Sequence, residues 1–201
     1  MAERRPKPSL AERRAARAEI DDPAAVLEAA ARFLEARSRS VAEVRRRLGR
    51  AGYRAVLVED AIGRLTELGM LDDAAFGRAW VESRDRARPR GEIALRRELS
   101  LKGVDRAIVD ELLEERRDGS SSGLDGELAD AAAARRLLAR NERSLARVAD
   151  PRQRRQRAYA LLARNGFDPE TCREAATAFL AASCAADGAD GDAASREGDD
   201  A

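Results

Sequence analysis

A helix-ending pattern that occurs three times constrains the fold of this chain more than any other feature. The three copies read LGRAGY at 48–53, LSLKGV at 99–104 and LARNGF at 162–167. Each has a leucine five residues before an apolar residue that directly follows a glycine. This spacing is typical of a Schellman ending, in which the glycine is left-handed and the apolar residue packs back on the helix. The residues expected to form these endings are Leu48, Gly52, Tyr53, Leu99, Gly103, Val104, Leu162, Gly166 and Phe167.

Helix-starting signals surround these endings and divide the chain into helices. Ser40 and Glu43 have the spacing of a capping box. Asp-Pro pairs, as at Asp22-Pro23, supply an N-cap and a proline at the first helical position. Apolar residues at helical spacing follow each signal, and no segment has the pattern of a strand. The sequence therefore predicts nine helices in three similar sets.

Each set has too little apolar surface to form a domain alone, so the sets are expected to stack as a short solenoid. The predicted fold is all-α, an elongated array of three tandem three-helix repeats. The predicted segments are a mobile N-terminal arm at 1–20, repeat one at 21–70, repeat two at 71–118, a flexible linker at 119–126, repeat three at 127–182 and a disordered acidic tail at 183–201.

Composition excludes several classes of function. The chain has no histidine, which excludes His-dependent triads and imidazole acid–base chemistry. Its two cysteines, Cys172 and Cys184, form no CxxC pair. No phosphate-binding glycine motif, signal peptide or membrane-spanning run occurs. We therefore expect a cytoplasmic, non-enzymatic protein without cofactor, metal, membrane contact or small-molecule substrate.

Charge alternates strongly along the chain although the net charge is only +1. Residues 38–55 carry six arginines against one carboxylate, a net charge of +5, and 56–75 carry one arginine against five carboxylates, a net charge of −4. Residues 107–130 have two arginines and eight carboxylates, whereas 131–164 have ten arginines and two carboxylates. The middle helix of each repeat is therefore predicted to be basic and the third helix acidic.

This alternation has two interpretations. The basic helices could be solvated faces paired with acidic neighbours, although exposed pairs contribute only about 0.2–1 kcal/mol each. Alternatively, they form a basic strip that binds a carboxylate-rich groove on a partner or a phosphate backbone. The second interpretation predicts ten partner-binding cations: Arg45, Arg46, Arg47, Arg50, Arg96, Arg97, Lys102, Arg154, Arg155 and Arg157.

With these motifs in place, 26–180 resembles the RecX regulatory family. The resemblance is most specific in the first repeat, at Ser40, Glu43, Leu48, Gly52-Tyr53, Ile62, Leu65, Gly69-Met70-Leu71, Asp73 and Phe76. The second repeat matches at Gly91, Leu95, Glu98-Leu99, Lys102-Gly103-Val104 and Asp105, and the third repeat diverges around a longer arginine-rich connection at 141–156.

The resemblance implies an all-helical protein of three units that binds the RecA recombinase. It further implies binding in the groove of the RecA–DNA filament and restraint of strand exchange, ATP hydrolysis and co-protease activity. The family has no catalytic residues to transfer. The competing hypothesis is a basic helical protein that binds single- or double-stranded DNA without RecA. With six to eight phosphate contacts on duplex DNA, its log affinity would fall with log salt at a slope of about −5 to −7.

Overall fold

The computed structural model describes residues 9–121 and 129–193, and this part of the chain contains helices and no strand. The helices are α1 (Leu10–Ala18), α2 (Pro23–Glu35), α3 (Val41–Ala51), α4 (Ala55–Glu67), α5 (Asp73–Ala87), α6 (Glu92–Lys102), α7 (Arg106–Ser121), α8 (Ala129–Ala146), α9 (Pro151–Arg164) and α10 (Pro169–Ala193). The helices α2 to α10 fall into three consecutive sets of three, as the sequence predicts.

The three glycine endings have the geometry that their spacing predicts. Gly52, Gly103 and Gly166 have φ angles of 105°, 81° and 82°, in the left-handed region that glycine tolerates. In each ending the N–H of the following apolar residue donates to the carbonyl of the leucine five residues earlier, at 3.2–3.3 Å. These are the six-to-one hydrogen bonds of the Schellman motif. The apolar residues also pack inward, since Val104 and Phe167 are buried and Tyr53 lies against the core.

The capping box predicted at Ser40 is only half formed. Ser40 Oγ accepts a hydrogen bond from the Glu43 N–H at 3.2 Å, as an N-cap should. The Glu43 carboxylate, however, binds Lys102 Nζ at 3.0 Å and Arg37 at 3.3 Å. A long-range ion pair has therefore replaced the second bond of the box. A complete capping box occurs instead at Ser9 and Glu12, where α1 begins.

The chain divides into two compact units, and the division passes through α5, α6 and α7. Unit one comprises the described residues up to Ala79 together with Leu99–Val109, and unit two comprises Trp80–Glu98 together with the described residues from Asp110 onward. In unit one, α2 and α3 both pack on α4. Their apolar stripes bury Val26, Ala30, Val44, Leu48, Val58, Ala61, Ile62 and Leu65.

In unit two, a buried cluster on α8, α9 and α10 combines leucines and Phe167 with several small residues. Ala133, Ala134, Ala158 and Ala176 are almost completely buried there. Cys172 lies among them, fully buried, and its thiol donates to the Phe167 carbonyl at 3.6 Å. Burial is the main cause that raises the pKa of this thiol. Cys172 is therefore a small residue of the core.

The ends of the described chain differ from the predicted segments. A mobile arm is expected at 1–20, but Leu10–Ala18 forms helix α1 because a capping box starts it and α3 supports it. The helix α7 continues to Ser121, into the predicted linker, and α10 continues to Ala193, beyond the predicted start of the tail at Ser183. Residues 1–8, 122–128 and 194–201 lie outside the described residues.

Candidate basic binding surface

The four arginines predicted on α3 fall into two classes. Arg45 forms two hydrogen bonds with the Glu59 carboxylate, at 2.6 and 2.7 Å, and this pairing is the main cause that raises its pKa. Arg46, Arg47 and Arg50 are exposed, and none lies within 4 Å of a carboxylate among the described side chains. Three of the four therefore carry charge that intramolecular carboxylates leave uncompensated.

The cations predicted on α6 are mostly neutralised within the fold. Arg96 pairs with both Asp110 and Glu92, and the hydrogen bond with Asp110 is the main cause that raises its pKa. Lys102 pairs with Glu43 at 3.0 Å. Arg97 is the exposed member of this set. The charges of Arg96 and Lys102 are thus neutralised by carboxylates of the fold, without a partner molecule.

On α9, Arg155 and Arg157 are exposed, whereas Arg154 is half-buried and donates to the Val148 carbonyl at 3.0 Å. Arg155 lines a groove of about 570 Å³ between α9 and α10. Tyr159 and Arg173 lie on the same groove. The predicted third-repeat cations are thus available mainly at Arg155 and Arg157.

The first turn of α3 is positioned by the end of α6. The buried hydroxyl of Ser40 donates to the Lys102 carbonyl at 2.7 Å, and Arg46 donates to the same oxygen at 3.3 Å. A Cβ at Gly103 would lie 2.4 Å from the Ala42 Cβ, so only glycine permits this approach. Asp73, at the start of α5, accepts the Val41 N–H at 2.9 Å. These contacts fix the orientation of the basic face of α3.

The acidic pair at the start of α5 has structural roles. Asp72 accepts hydrogen bonds from the N–H groups of Ala74 and Ala75, so it caps α5. Burial is the main cause that raises the pKa of the neighbouring Asp73. Among the described residues, no group of three or more acidic or cysteine side chains is placed to hold a metal ion.

Sequence reasoning missed a buried ion-pair cluster in unit two. Arg116 is only 8% exposed, and it donates to both Asp85 oxygens at 2.9 Å and to Asp130 at 2.5 Å. Burial alone would lower its pKa, but the two carboxylates outweigh burial and raise it. Asp130 also accepts the Glu92 N–H at 2.9 Å, which ties α6, α7 and α8 together with α5. Because these residues are far apart in sequence, no local pattern identifies the cluster.

Arg13 and Arg17 of α1 were not among the ten predicted partner-binding cations. Arg13 and Arg17 lie with Arg46, Arg47 and Arg50 along one groove of unit one, which we call the α1–α3 groove. Its volume is about 880 Å³. The basic residues of α1 are visible in the sequence, but their placement follows only from the packing of this helix on α3.

Comparison with known proteins gives a family for this fold. Three family models match in chain order: the first three-helix domain of RecX at 27–65, the second at 72–113 and the third at 129–176. The chain belongs to the RecX family. A regulatory protein RecX of Chlorobium phaeobacteroides is 32% identical over 157 residues, which cover 78% of this chain and 94% of that protein.

Other RecX proteins agree with this assignment. The regulatory protein RecX of Mycolicibacterium vanbaalenii is 32% identical and covers 75% of this chain and 79% of its own length. The crystal structure of RecX from Lactobacillus salivarius has a TM-score of 0.66 at 18% identity, covering 79% of this chain and 97% of that one. This similarity supports the helical fold. The expected resemblance and the all-α fold of three three-helix domains are thereby confirmed, and the chain belongs to a family of regulatory proteins.

Among the described residues, no helix is both long and apolar enough to span a bilayer. The α1 helix precedes the first matched domain, which begins at residue 27. The α1–α3 groove therefore combines a helix inside the RecX match with one outside it.

Proposed function

We propose that this protein regulates the RecA recombinase by binding the RecA–DNA filament. In this role it limits strand exchange, ATP hydrolysis and co-protease activity, and so restrains homologous recombination, DNA repair and the SOS response in the cytoplasm. Membership of a family whose curated relatives are named regulatory proteins is the observation that carries the proposal. The exposed arginines on α3 supply a surface of the required charge.

Ion pairing within the fold supports a smaller set of cations as contacts to the filament than the ten predicted. An arginine already bound to a carboxylate must lose that ion pair before it can bind a partner, whereas an arginine without a carboxylate partner loses only water and weaker contacts. We therefore assign the leading roles to Arg46, Arg47 and Arg50, with Arg97, Arg155 and Arg157 as further contacts. Arg45, Arg96 and Lys102 are proposed to stabilise the fold instead.

This assignment predicts different effects for neighbouring arginines of one helix. Replacing Arg46, Arg47 and Arg50 together by Gln should weaken binding to RecA filaments on single-stranded DNA at least tenfold, since each lost charge-assisted contact contributes about 1–3 kcal/mol. The Arg45→Gln variant is the control for a paired arginine on the same helix and should bind within about threefold of wild type. Co-sedimentation with preassembled filaments measures both. Equal losses in the two variants would contradict the division into free and paired arginines.

A further inference from the structure

The α1–α3 groove concentrates positive charge that the fold does not neutralise. Five arginines line it, two from α1 and three from α3: Arg13, Arg17, Arg46, Arg47 and Arg50. None of the five guanidinium groups has a carboxylate within 4 Å among the described side chains. Glu43 also lines the groove, but Lys102 and Arg37 already bind its carboxylate. The groove therefore carries a large uncompensated positive charge.

Three of the five arginines are held in place by contacts that leave their charge uncompensated. Arg17 donates to the Ala51 carbonyl at 3.4 Å and lies 5.8 Å from the centre of the Tyr53 ring. Arg46 donates to a backbone carbonyl, and Arg47 lies 5.6 Å from the centre of the Phe33 ring. Such contacts reduce the side-chain freedom that binding would otherwise remove.

The two walls of the groove have the same arginine spacing. Arg13 and Arg17 are four residues apart on α1, and Arg46 and Arg50 are four residues apart on α3. Four residues of α-helix advance about 6 Å, so each wall presents two guanidinium groups on one helical face about one turn apart. Four positive groups in two rows suit an extended chain of regularly spaced negative charges.

The composition of the groove favours nucleic acid over protein as that chain. Protein–protein interfaces have an apolar centre depleted of charged residues, whereas protein–nucleic acid interfaces are more polar and much more positive. Leu10, Phe33 and Ala51 are the apolar residues of this groove, against five arginines. Guanidinium groups also bind phosphate oxygens in pairs. We propose that the α1–α3 groove binds the backbone phosphates of a nucleic-acid strand.

This site goes beyond the proposed function, because binding at it requires no recombinase. One of its two arginine pairs also lies on α1, which precedes the matched RecX domains. The proposal predicts that the protein binds a fluorescent single-stranded DNA oligonucleotide without RecA. The Arg13→Gln/Arg17→Gln variant should lose two phosphate contacts. Each contact contributes about 0.7 to the salt slope on single strands, so the slope should become shallower by about 1.4 and affinity at 0.1 M salt should fall about twentyfold.

The matched control is Arg143→Gln/Arg147→Gln, which removes two exposed arginines four residues apart elsewhere in the chain. It has the same charge change and should bind within about twofold of wild type. The Arg13→Lys/Arg17→Lys variant keeps the charge and should keep the salt slope. Should circular dichroism show that the α1 glutamine variant loses helix, Arg46→Gln/Arg50→Gln on α3 makes the same test with the same expected loss.

The test is fluorescence anisotropy of the oligonucleotide over a salt series, repeated with a poly-glutamate peptide as competitor. The proposal expects oligonucleotide binding that the groove variants weaken and the control does not, with little competition by poly-glutamate. Equal affinities for groove and control variants, no binding by the wild type, or displacement by poly-glutamate at matched charge would each overturn it. Since RecA is absent, these outcomes are independent of whether the protein regulates RecA filaments.

Discussion

Single glycines determine how closely the helices of this protein approach one another. Gly52 illustrates two separate requirements, since its φ is 105° and a Cβ there would lie 2.7 Å from the Arg14 carbonyl oxygen of α1. Gly69 has a similar backbone, with φ of 68°, but a Cβ there would contact nothing within 4 Å. Gly49 lies inside α3 with open space around it. Substitutions at these three positions therefore distinguish the cost of a left-handed backbone from the cost of a steric clash.

Alanine substitutions at these glycines should differ in a fixed order. Gly49→Ala should stabilise the protein by about 0.5–1 kcal/mol, because alanine favours the helix interior. Gly69→Ala should destabilise it by about 1 kcal/mol through the left-handed backbone alone. Gly52→Ala should cost more, about 2–3 kcal/mol, since α1 must also move away. Denaturant unfolding measures all three, and equal costs at Gly52 and Gly69 would show that α1 does not press on this ending.

The residue-level features predicted from sequence were those that depend on local geometry. The left-handed glycines and the cap at Asp22 follow from spacing over a few residues, so the sequence predicts them directly. The Glu43 carboxylate is different, because its partner Lys102 is 59 residues away. The local capping-box pattern gives no sign of that competitor. Which arginines remain unpaired is equally a result of tertiary packing.

At the scale of helices, each of these three glycine endings packs on another helix. In unit one, the Gly103 ending of α6 packs on the first turn of α3. In unit two, the Gly166 ending of α9 packs on the first turn of α6, where Gly91 and Ile93 donate to the Asn165 and Gly166 carbonyls at 3.1 and 3.2 Å. The α3 ending packs on α1. The endings of α6 and α9 thus pack on the middle helix of the preceding set, and the ending of α3 packs on α1 in the same way.

The bond between Glu43 and Lys102 joins two such helices and predicts a pH dependence. Burial opposes ionisation of Glu43, but Lys102 and Arg37 outweigh it and lower the pKa below its ordinary value of 4.5. A lowered folded-state pKa stabilises the fold above about pH 4.5, and this contribution disappears as the pH falls through the folded-state value. The difference in unfolding free energy between wild type and Glu43→Gln should therefore be largest near neutral pH and shrink towards pH 3. A difference independent of pH would mean that the ion pair does not stabilise the fold.

For the whole molecule, the repeated ending, the helix-start signals and the apolar periodicity together predict three sets of three helices. Periodic apolar stripes determine that fold because each stripe has a single buried side. The helix α1 lies within the expected mobile arm, and its capping box at Ser9 and Glu12 is a local signal that the sequence prediction missed, whereas its packing on α3 is visible only in the fold. The sequence could not identify the Arg116 cluster or the α1–α3 groove, which bring together residues distant in sequence. Local patterns thus determined the architecture, and tertiary packing determined which charges remain free.

The central claim is that this RecX-family protein restrains the RecA filament. Its most direct test is RecA ATP hydrolysis on single-stranded DNA, measured with increasing amounts of this protein. We predict a rate that falls progressively with added protein, with the Arg46→Gln/Arg47→Gln/Arg50→Gln variant needing at least tenfold more protein for the same inhibition. An unchanged rate at stoichiometric and higher concentrations of the wild-type protein would contradict the proposed function.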